Sequence, residues 1–438
     1  MKSVFVLPLL ASVLFSAQKI ENPQSIDSFS KKINSNTEVT NILFLGDSHI
    51  QAGWIPQIIR QQLQQKYGNA GRGTVFPYAV ANSNGPQDFT SASNQAWETF
   101  RLVYDQDVFP KVGALGFVMG NQKDSFVNIN FQNADDFFDE VRIFNDDSMN
   151  GQDFTIYETD KNLKNFINFK KTILKYTVQE GDTFPEIAAK FNVITTRLVQ
   201  LSGNSIKNPK AGQVVTVEKS EPIYDEKFNE DLQIVGNGKF SNDETTFKYP
   251  KPVQNFLIKM DAENGNILYG FQFLKSDSKN GVVFNTIGIN GATYADFLKY
   301  PLQLQQLKKT NPDLVMISLG TNEGVSSISK DDFLKNAENL VSELRRENPV
   351  LPILLISPTD NNMNGKKTAE VVEWIKEAST KLNTAFLNMY EATGGKGYFS
   401  KALQEKKAST DNVHFLQSGY EEQGRKIWQA IQSYLTEN

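Results

Sequence analysis

The sequence predicts an α/β protein: a parallel sheet covered by helices on both faces, split by an inserted β-sandwich of jelly-roll type that itself carries a small βααβ unit. Three observations predict it. Short apolar strands alternate with amphipathic helices towards both ends of the chain. Period-two alternation fills the middle, and a strand–helix–helix–strand pattern interrupts that alternation. The length of 438 residues gives room for two or three domains, and 39% hydrophobic with 22% charged residues is a globular composition.

The elements follow in chain order. Met1-Lys2-Ser3, an apolar run from Val4 to Phe15 and then Ser16-Ala17-Gln18 form the three-part pattern of a secretory signal peptide over residues 1–17. The alternative is a buried N-terminal helix or strand. The run is short for a bilayer, and no later run approaches membrane length, so no transmembrane segment is expected. An exported protein, periplasmic or extracellular, is the expectation. Asn41-Ile-Leu-Phe-Leu45 reads as a buried parallel strand. A helix follows from about Trp54 to Tyr67, then a glycine-rich turn from Gly68 to Gly73. The first α/β part is set at residues 18–92.

From about Ser93 to Asn280 the period changes. Val127, Ile129 and Phe131 alternate with Asn128 and Asn130, Val141 and Ile143 flank Arg142, and Ile267, Tyr269, Phe271 and Phe273 alternate with Leu268, Gly270 and Gln272. That predicts antiparallel strands at 93–170 and 220–280. Between them, residues 171–219 read as strand (Leu174 to Val178), helix (Phe184 to Phe191), helix (Thr195 to Leu201) and strand (Gln213 to Val217). The α/β pattern resumes over 281–438. Its expected strands are Val282 to Ile289, Leu314 to Leu319, Pro352 to Ser357 and Ala385 to Asn388. Its expected helices are Tyr294 to Leu307, Asp331 to Glu347, Thr368 to Leu382 and Tyr420 to Leu435.

Composition narrows the chemistry. The chain has no cysteine and two histidines, His49 and His414. Disulfides, thiolate metal sites and a cysteine nucleophile are thereby excluded, and a His-rich metal centre has little room. A net charge of −5 argues against a general nucleic-acid binder.

Four polar blocks end apolar strands or precede a helix: Gly46-Asp47-Ser48-His49, Gly288-Ile-Asn-Gly291-Ala-Thr293, Ser318-Leu-Gly320-Thr321-Asn322-Glu323 and Asp411-Asn-Val-His414. Each alone is also an ordinary turn or helix-initiating loop. Together they supply a hydroxyl, an imidazole to take its proton, a carboxylate three residues before that imidazole to fix its tautomer, and an amide able to donate to an oxyanion. His49 adjoins Ser48 on a tight turn, where neighbouring side chains diverge, so it is a poor base for it. It reads as a packed polar residue of the first helical turn, or as one that supports the site or touches substrate. Asp47 reads as a loop-shaping hydrogen-bonder.

The four blocks, in this order on alternating strands and helices, resemble the SGNH (GDSL-type) hydrolase family over about Thr37 to Ala92 and Gly281 to Asn438. The resemblance implies a three-layer α/β fold with a five-stranded parallel sheet. It also implies ester hydrolysis without metal or cofactor, with Ser48 as nucleophile, His414 as base and Asp411 orienting it. The implied oxyanion hole is the N–H of Ser48, the N–H of Gly291 and the side chain of Asn322. Many family members have Asp where this chain has Glu323.

Tyr176-Thr-Val-Gln-Glu-Gly181-Asp182-Thr183-Phe184 and its continuation through Ala211-Gly212-Gln213 resemble a LysM domain. That implies binding of N-acetylglucosamine-containing glycans such as peptidoglycan, through Gly181, Asp182, Thr183, Phe184 and about Ser202 to Ile206, including Asn204. Phe184 stands where Leu is usual. The module also reads as a spacer with that fold and little binding. A β insert between the Ser48 and Gly291 blocks is similar in arrangement to bacterial peptidoglycan O-acetylesterases. The insert reads equally as a carbohydrate-binding module or as a buttress. The expectation is an exported serine esterase removing O-acetyl groups from a cell-wall glycan, most simply from muramic acid. A non-catalytic wall-binding protein and a lipase or thioesterase of the same fold stay open, as does the oligomeric state.

Overall fold

The computed structural model describes residues 19–104, 111–191, 193, 195–203 and 209–437. The proposed signal peptide, 1–17, lies outside them. At the centre is a parallel sheet in the order Asn69–Gly71, Gly281–Gly288, Val39–Gly46, Leu314–Ser318, Ile353–Ile356, Ala385–Leu387. Five of these strands are the expected ones. The sixth is a three-residue edge strand, Asn69–Gly71, in the segment read as a glycine-rich turn; three residues carry no legible period.

Val39–Gly46 shows why a continuous apolar run marks such a strand. Leu43 and Leu45 point into one core, and Ile42 and Phe44 into the other. Period two with both faces covered leaves no polar position from Ile42 to Leu45. The Ile42 face packs on the helices Asp27–Ser35, Trp54–Tyr67 and Gln417–Glu437. The Leu43 face packs on Pro301–Lys308, Lys330–Arg345 and Gly365–Lys381, and shares its core with the insert. The helix expected from Tyr294 to Leu307 is instead a 3-10 turn, Asp296–Leu298, and a helix beginning at Pro301. A proline ring inside the longer helix would clash with the preceding turn, whereas at the first helical position it is favoured.

The insert consists of antiparallel sheets. One orders Gln233–Lys239, Asp153–Glu158, Asn255–Met260, Ser125–Phe131 and Phe89–Ser93; a second orders Glu244–Val253, Phe138–Phe144, Gly270–Leu274 and Gly73–Val75; a third, smaller one orders Asn266–Leu268, Phe117–Asn121 and Glu98–Arg101. Val127, Ile129 and Phe131 of the first are buried in one core with Val141, Ile143 and Phe273 of the second. Antiparallel pairing thus starts at Gly73, ahead of the boundary read at residue 92, again on a strand too short to show a period. The stretch read as one alternation from Ile267 to Phe273 is two strands in different sheets, Asn266–Leu268 and Gly270–Leu274. Gly270, at φ +122°, turns the chain between them.

Two eleven-residue strands, Ile167–Thr177 and Val214–Tyr224, leave the insert as an antiparallel ribbon. At its far end sit the helices Phe184–Lys190 and Thr195–Ser202 around a separate small core that includes Ile187, Leu198, Val215 and Val217.

Candidate active site

Gly46 ends the central strand, and Asp47 caps the four-residue helix Ser48–Gln51 by accepting the backbone N–H of His49 at 2.9 Å. That cap puts Ser48 at the first helical position, where a backbone N–H has no acceptor within its own helix. The helix lies close on the sheet because Gly288, on the adjacent strand, has no side chain: a β-carbon there would overlap the backbone of Gln51.

His414 reaches Ser48 from 366 residues away. Its Nε2 stands 2.8 Å from the Ser48 hydroxyl, and its Nδ1 2.9 Å from Asp411 Oδ2. Asp411 Oδ1 accepts the backbone N–H groups of Val413 and His414, each at 2.9 Å. Partial burial works against the Asp411 carboxylate, but these N–H groups and the imidazole together hold its pKa below the ordinary value. A carboxylate fixed on one ring nitrogen leaves the other as acceptor for the serine proton.

The Gly291 loop approaches from the neighbouring strand. Gly291 has φ +86°, a conformation side chains rarely adopt. The Thr321–Gly324 turn clamps this loop at two points: the Asn322 amide donates to Ala292 O at 2.9 Å, and Glu323 Oε1 accepts the Tyr294 N–H at 2.8 Å. One N–H of Asn322 is therefore committed to the loop and the other remains to be offered. Glu323, noted in the sequence only as a departure from the family, is a buried structural acceptor. Burial, with Asp47 and Asp296 adding to it, pushes its carboxyl up to about 7 despite the Tyr294 N–H. An acid directly after the amide donor Asn322 was the available signal.

Gln51 is a second contribution the sequence did not flag. Its Nε2 donates to Ser83 Oγ and Asn84 O, its Oε1 accepts the Asn290 N–H, and Asn290 Nδ2 donates to Asn84 Oδ1. The turn at Tyr78–Asn84 is thereby bonded to both the serine helix and the Gly291 loop.

His49 is buried. Its ring stacks on His414 with centroids 5.4 Å apart and meets Tyr420 edge-on at 5.5 Å. Burial lowers its pKa below the ordinary histidine value; Asp47 opposes this and His414 adds to it. It is thus a neutral ring packed against His414. Among the described residues, no group of three His, Cys, Asp or Glu side chains stands together as metal ligands.

The structure distributes the proposed glycan contacts differently. Gly181 takes φ +86° in the turn. Asp182 Oδ2 accepts from Tyr176 OH and the Gln179 N–H, each at 2.7 Å, and so shapes that turn. Thr183 is exposed. Phe184 is a correction: its side chain is buried in the module's own core with Ile187 and Leu198, as an apolar residue opening an amphipathic helix would be. Ser202 is bonded to the Thr216 backbone. Asn204 and Ile206 lie outside the described residues.

Residues 269–422 match the GDSL-like Lipase/Acylhydrolase family, and residues 176–218 match the LysM domain. The first match takes in Gly291, Asn322, Asp411 and His414 but not Ser48, which the insert separates from them. No curated protein matches the chain in sequence. Among solved structures, a peptidoglycan O-acetylesterase aligns over 95% of this chain and 96% of its own at 17% identity, with a TM-score of 0.59. A lipase/acylhydrolase from Enterococcus faecalis is 23% identical over 35% of this chain and 77% of its own, with a TM-score of 0.30. The esterase EstA from Pseudoalteromonas sp. is 17% identical over 36% and 81%, with a TM-score of 0.29.

Proposed function

We propose, for a chain that carries a GDSL-like acylhydrolase domain and a LysM domain, that it is an exported serine esterase removing O-acetyl groups from peptidoglycan, from its muramic acid residues. The observation that carries this reading is the unbroken relay Ser48 Oγ–His414 Nε2–His414 Nδ1–Asp411 Oδ2, with hydrogen bonds of 2.8 and 2.9 Å. The full-length fold likeness to a peptidoglycan O-acetylesterase and the LysM domain favour a wall glycan as substrate. The pattern of residues 1–17 favours export, and among the described residues no helix is long and apolar enough to cross a membrane.

In this mechanism Ser48 Oγ attacks the acetyl carbonyl carbon while His414 Nε2 takes its proton, and Asp411 stabilises the imidazolium. The carbonyl oxygen becomes an oxyanion held by the Ser48 N–H, the Gly291 N–H and the Asn322 amide. The C–O bond to the sugar breaks as His414 returns the proton to the departing sugar oxygen, leaving acetyl-Ser48. Water, deprotonated by His414, attacks that ester; the bond from Ser48 Oγ to the acyl carbon breaks as His414 returns the proton to Ser48, and acetate leaves. Acetate released from O-acetylated peptidoglycan by the wild type and absent with Ser48→Ala is the expected result. Release no greater than the variant's background rejects the substrate. The LysM domain holds the enzyme near its polymer and raises the effective concentration of ester.

A further inference from the structure

A cavity of about 220 Å³ lies where the base of the LysM ribbon meets the insert. One wall is the turn through Ala79 and Asn82. Ser91, Ser93 and Gln95 line it too, as does Phe169, paired across the ribbon with Pro222. Phe169 is 61% exposed, a large aromatic in solvent on a strand whose neighbours could as well be polar. The two serine oxygens already accept N–H groups, Ser91 from Ala79 at 3.2 Å and Ser93 from the Trp97 indole at 2.8 Å and the Gln95 backbone at 3.3 Å. Each O–H is left to donate. A cavity lined by an exposed aromatic ring and small apolar side chains, with the hydroxyl and amide groups of Ser91, Ser93, Ser220, Asn82 and Gln95 among them, suits a ligand with one apolar face and several hydroxyls. A pyranose has that shape: its C–H face lies on the electron-rich ring and its equatorial hydroxyls and acetamido group meet the polar rim.

The cavity is also wired to the catalytic site. The Tyr78–Asn84 turn that supplies Ala79 and Asn82 here supplies Ser83 and Asn84 to Gln51 and Asn290 there. From this placement we infer that the cavity is a glycan subsite, taking a sugar unit of the same strand whose ester is presented to Ser48. The inference rests on the proposed glycan substrate.

The test uses full-length protein. The ratio of kcat/KM on soluble O-acetylated peptidoglycan fragments to kcat/KM on a small acetyl ester isolates glycan recognition from the triad. Phe169→Ala lowers this ratio at least about tenfold, through KM, while Phe169→Trp, which keeps a ring, stays within about threefold of wild type. An unchanged ratio in Phe169→Ala overturns the subsite. If the wild type releases no acetate from the fragments, the proposed substrate fails, and the subsite is judged by binding alone. In a Ser48→Ala background, calorimetric titration with short N-acetylglucosamine oligosaccharides is weakened by Phe169→Ala if the subsite exists. An identical isotherm overturns it.

Discussion

His414 and His49 stack within the same site, yet one holds the Ser48 hydroxyl and the other is sealed behind it. His414→Ala is expected to reduce hydrolysis of a small acetyl ester to the level of Ser48→Ala, because the serine then has no base. His49→Ala is expected to leave measurable turnover, reduced by loosened packing of the His414 ring; loss equal to that of His414→Ala contradicts the assignment. For Asn322→Ala, kcat should fall by about 10²–10³ from the loss of one oxyanion donor. Glu323 gives a pH test. Its folded pKa of about 7 stands above the ordinary 4.5, so the folded state keeps a proton that the unfolded state releases. Stability from this group is therefore intact below about pH 4.5 and declines as pH rises towards 7, by on the order of 3 kcal/mol in all. Glu323→Gln keeps an acceptor for Tyr294 and cannot ionise. Its Tm should match wild type near pH 5 and exceed it by a few degrees near pH 8; a difference independent of pH contradicts this.

At the scale of elements, the joint between hydrolase and insert depends on buried charge. Arg60 of the Trp54–Tyr67 helix pairs with Asp88 at 2.8 Å and Asp136 at 2.5 Å, and Arg72 shares Asp88 at 2.9 Å. All four side chains are buried. Asp88→Ala leaves two guanidiniums short of a partner out of water and should cost about 3–5 kcal/mol, measured by urea unfolding. None of this network was legible in the sequence, since Arg60, Arg72, Asp88 and Asp136 share no motif and meet only through the fold. Runs with one clear period were legible: the helix Trp54–Tyr67 and the strands at Leu43, Ile317 and Leu355 stand within a residue or two of expectation. Besides the helix interrupted before Pro301, the failures are short or shared segments. Gly73–Val75 and Asn69–Gly71 have three residues each, and Tyr269 hides a strand boundary inside apparent alternation. That Ser48, Asp411 and His414 would meet could be read because the four blocks together resemble one family pattern, and the structure brings the three side chains together. Gln51 and Asn84 could not, because amides in loops are common and their value here is wholly positional.

For the whole molecule, the division of labour between modules is testable by excision. Replacing residues 174–217 with a short turn removes the LysM core and leaves the lower ribbon, with Phe169 and Pro222, in place. Acetate release from insoluble walls should fall several-fold at low enzyme concentration, and much less on soluble fragments, because only the polymer offers attachment next to the ester. Equal loss on both would make the module part of the active site itself. The central sheet has a further consequence, in time. Val39–Gly46 lies between Gly281–Gly288 and Leu314–Ser318, so both neighbours of the strand that leads into Ser48 come from the second half of the chain. During synthesis that strand waits, apolar and unpaired, until about 240 residues more have followed it, and its second neighbour is made only some 30 residues later. The antiparallel insert closes mostly on itself in the interval, and by closing brings Gly281 back to Val39. Assembly order thus differs from synthesis order, and the wait is a long-range pairing that slows folding. Refolding of the intact chain should therefore show sandwich structure before esterase activity returns.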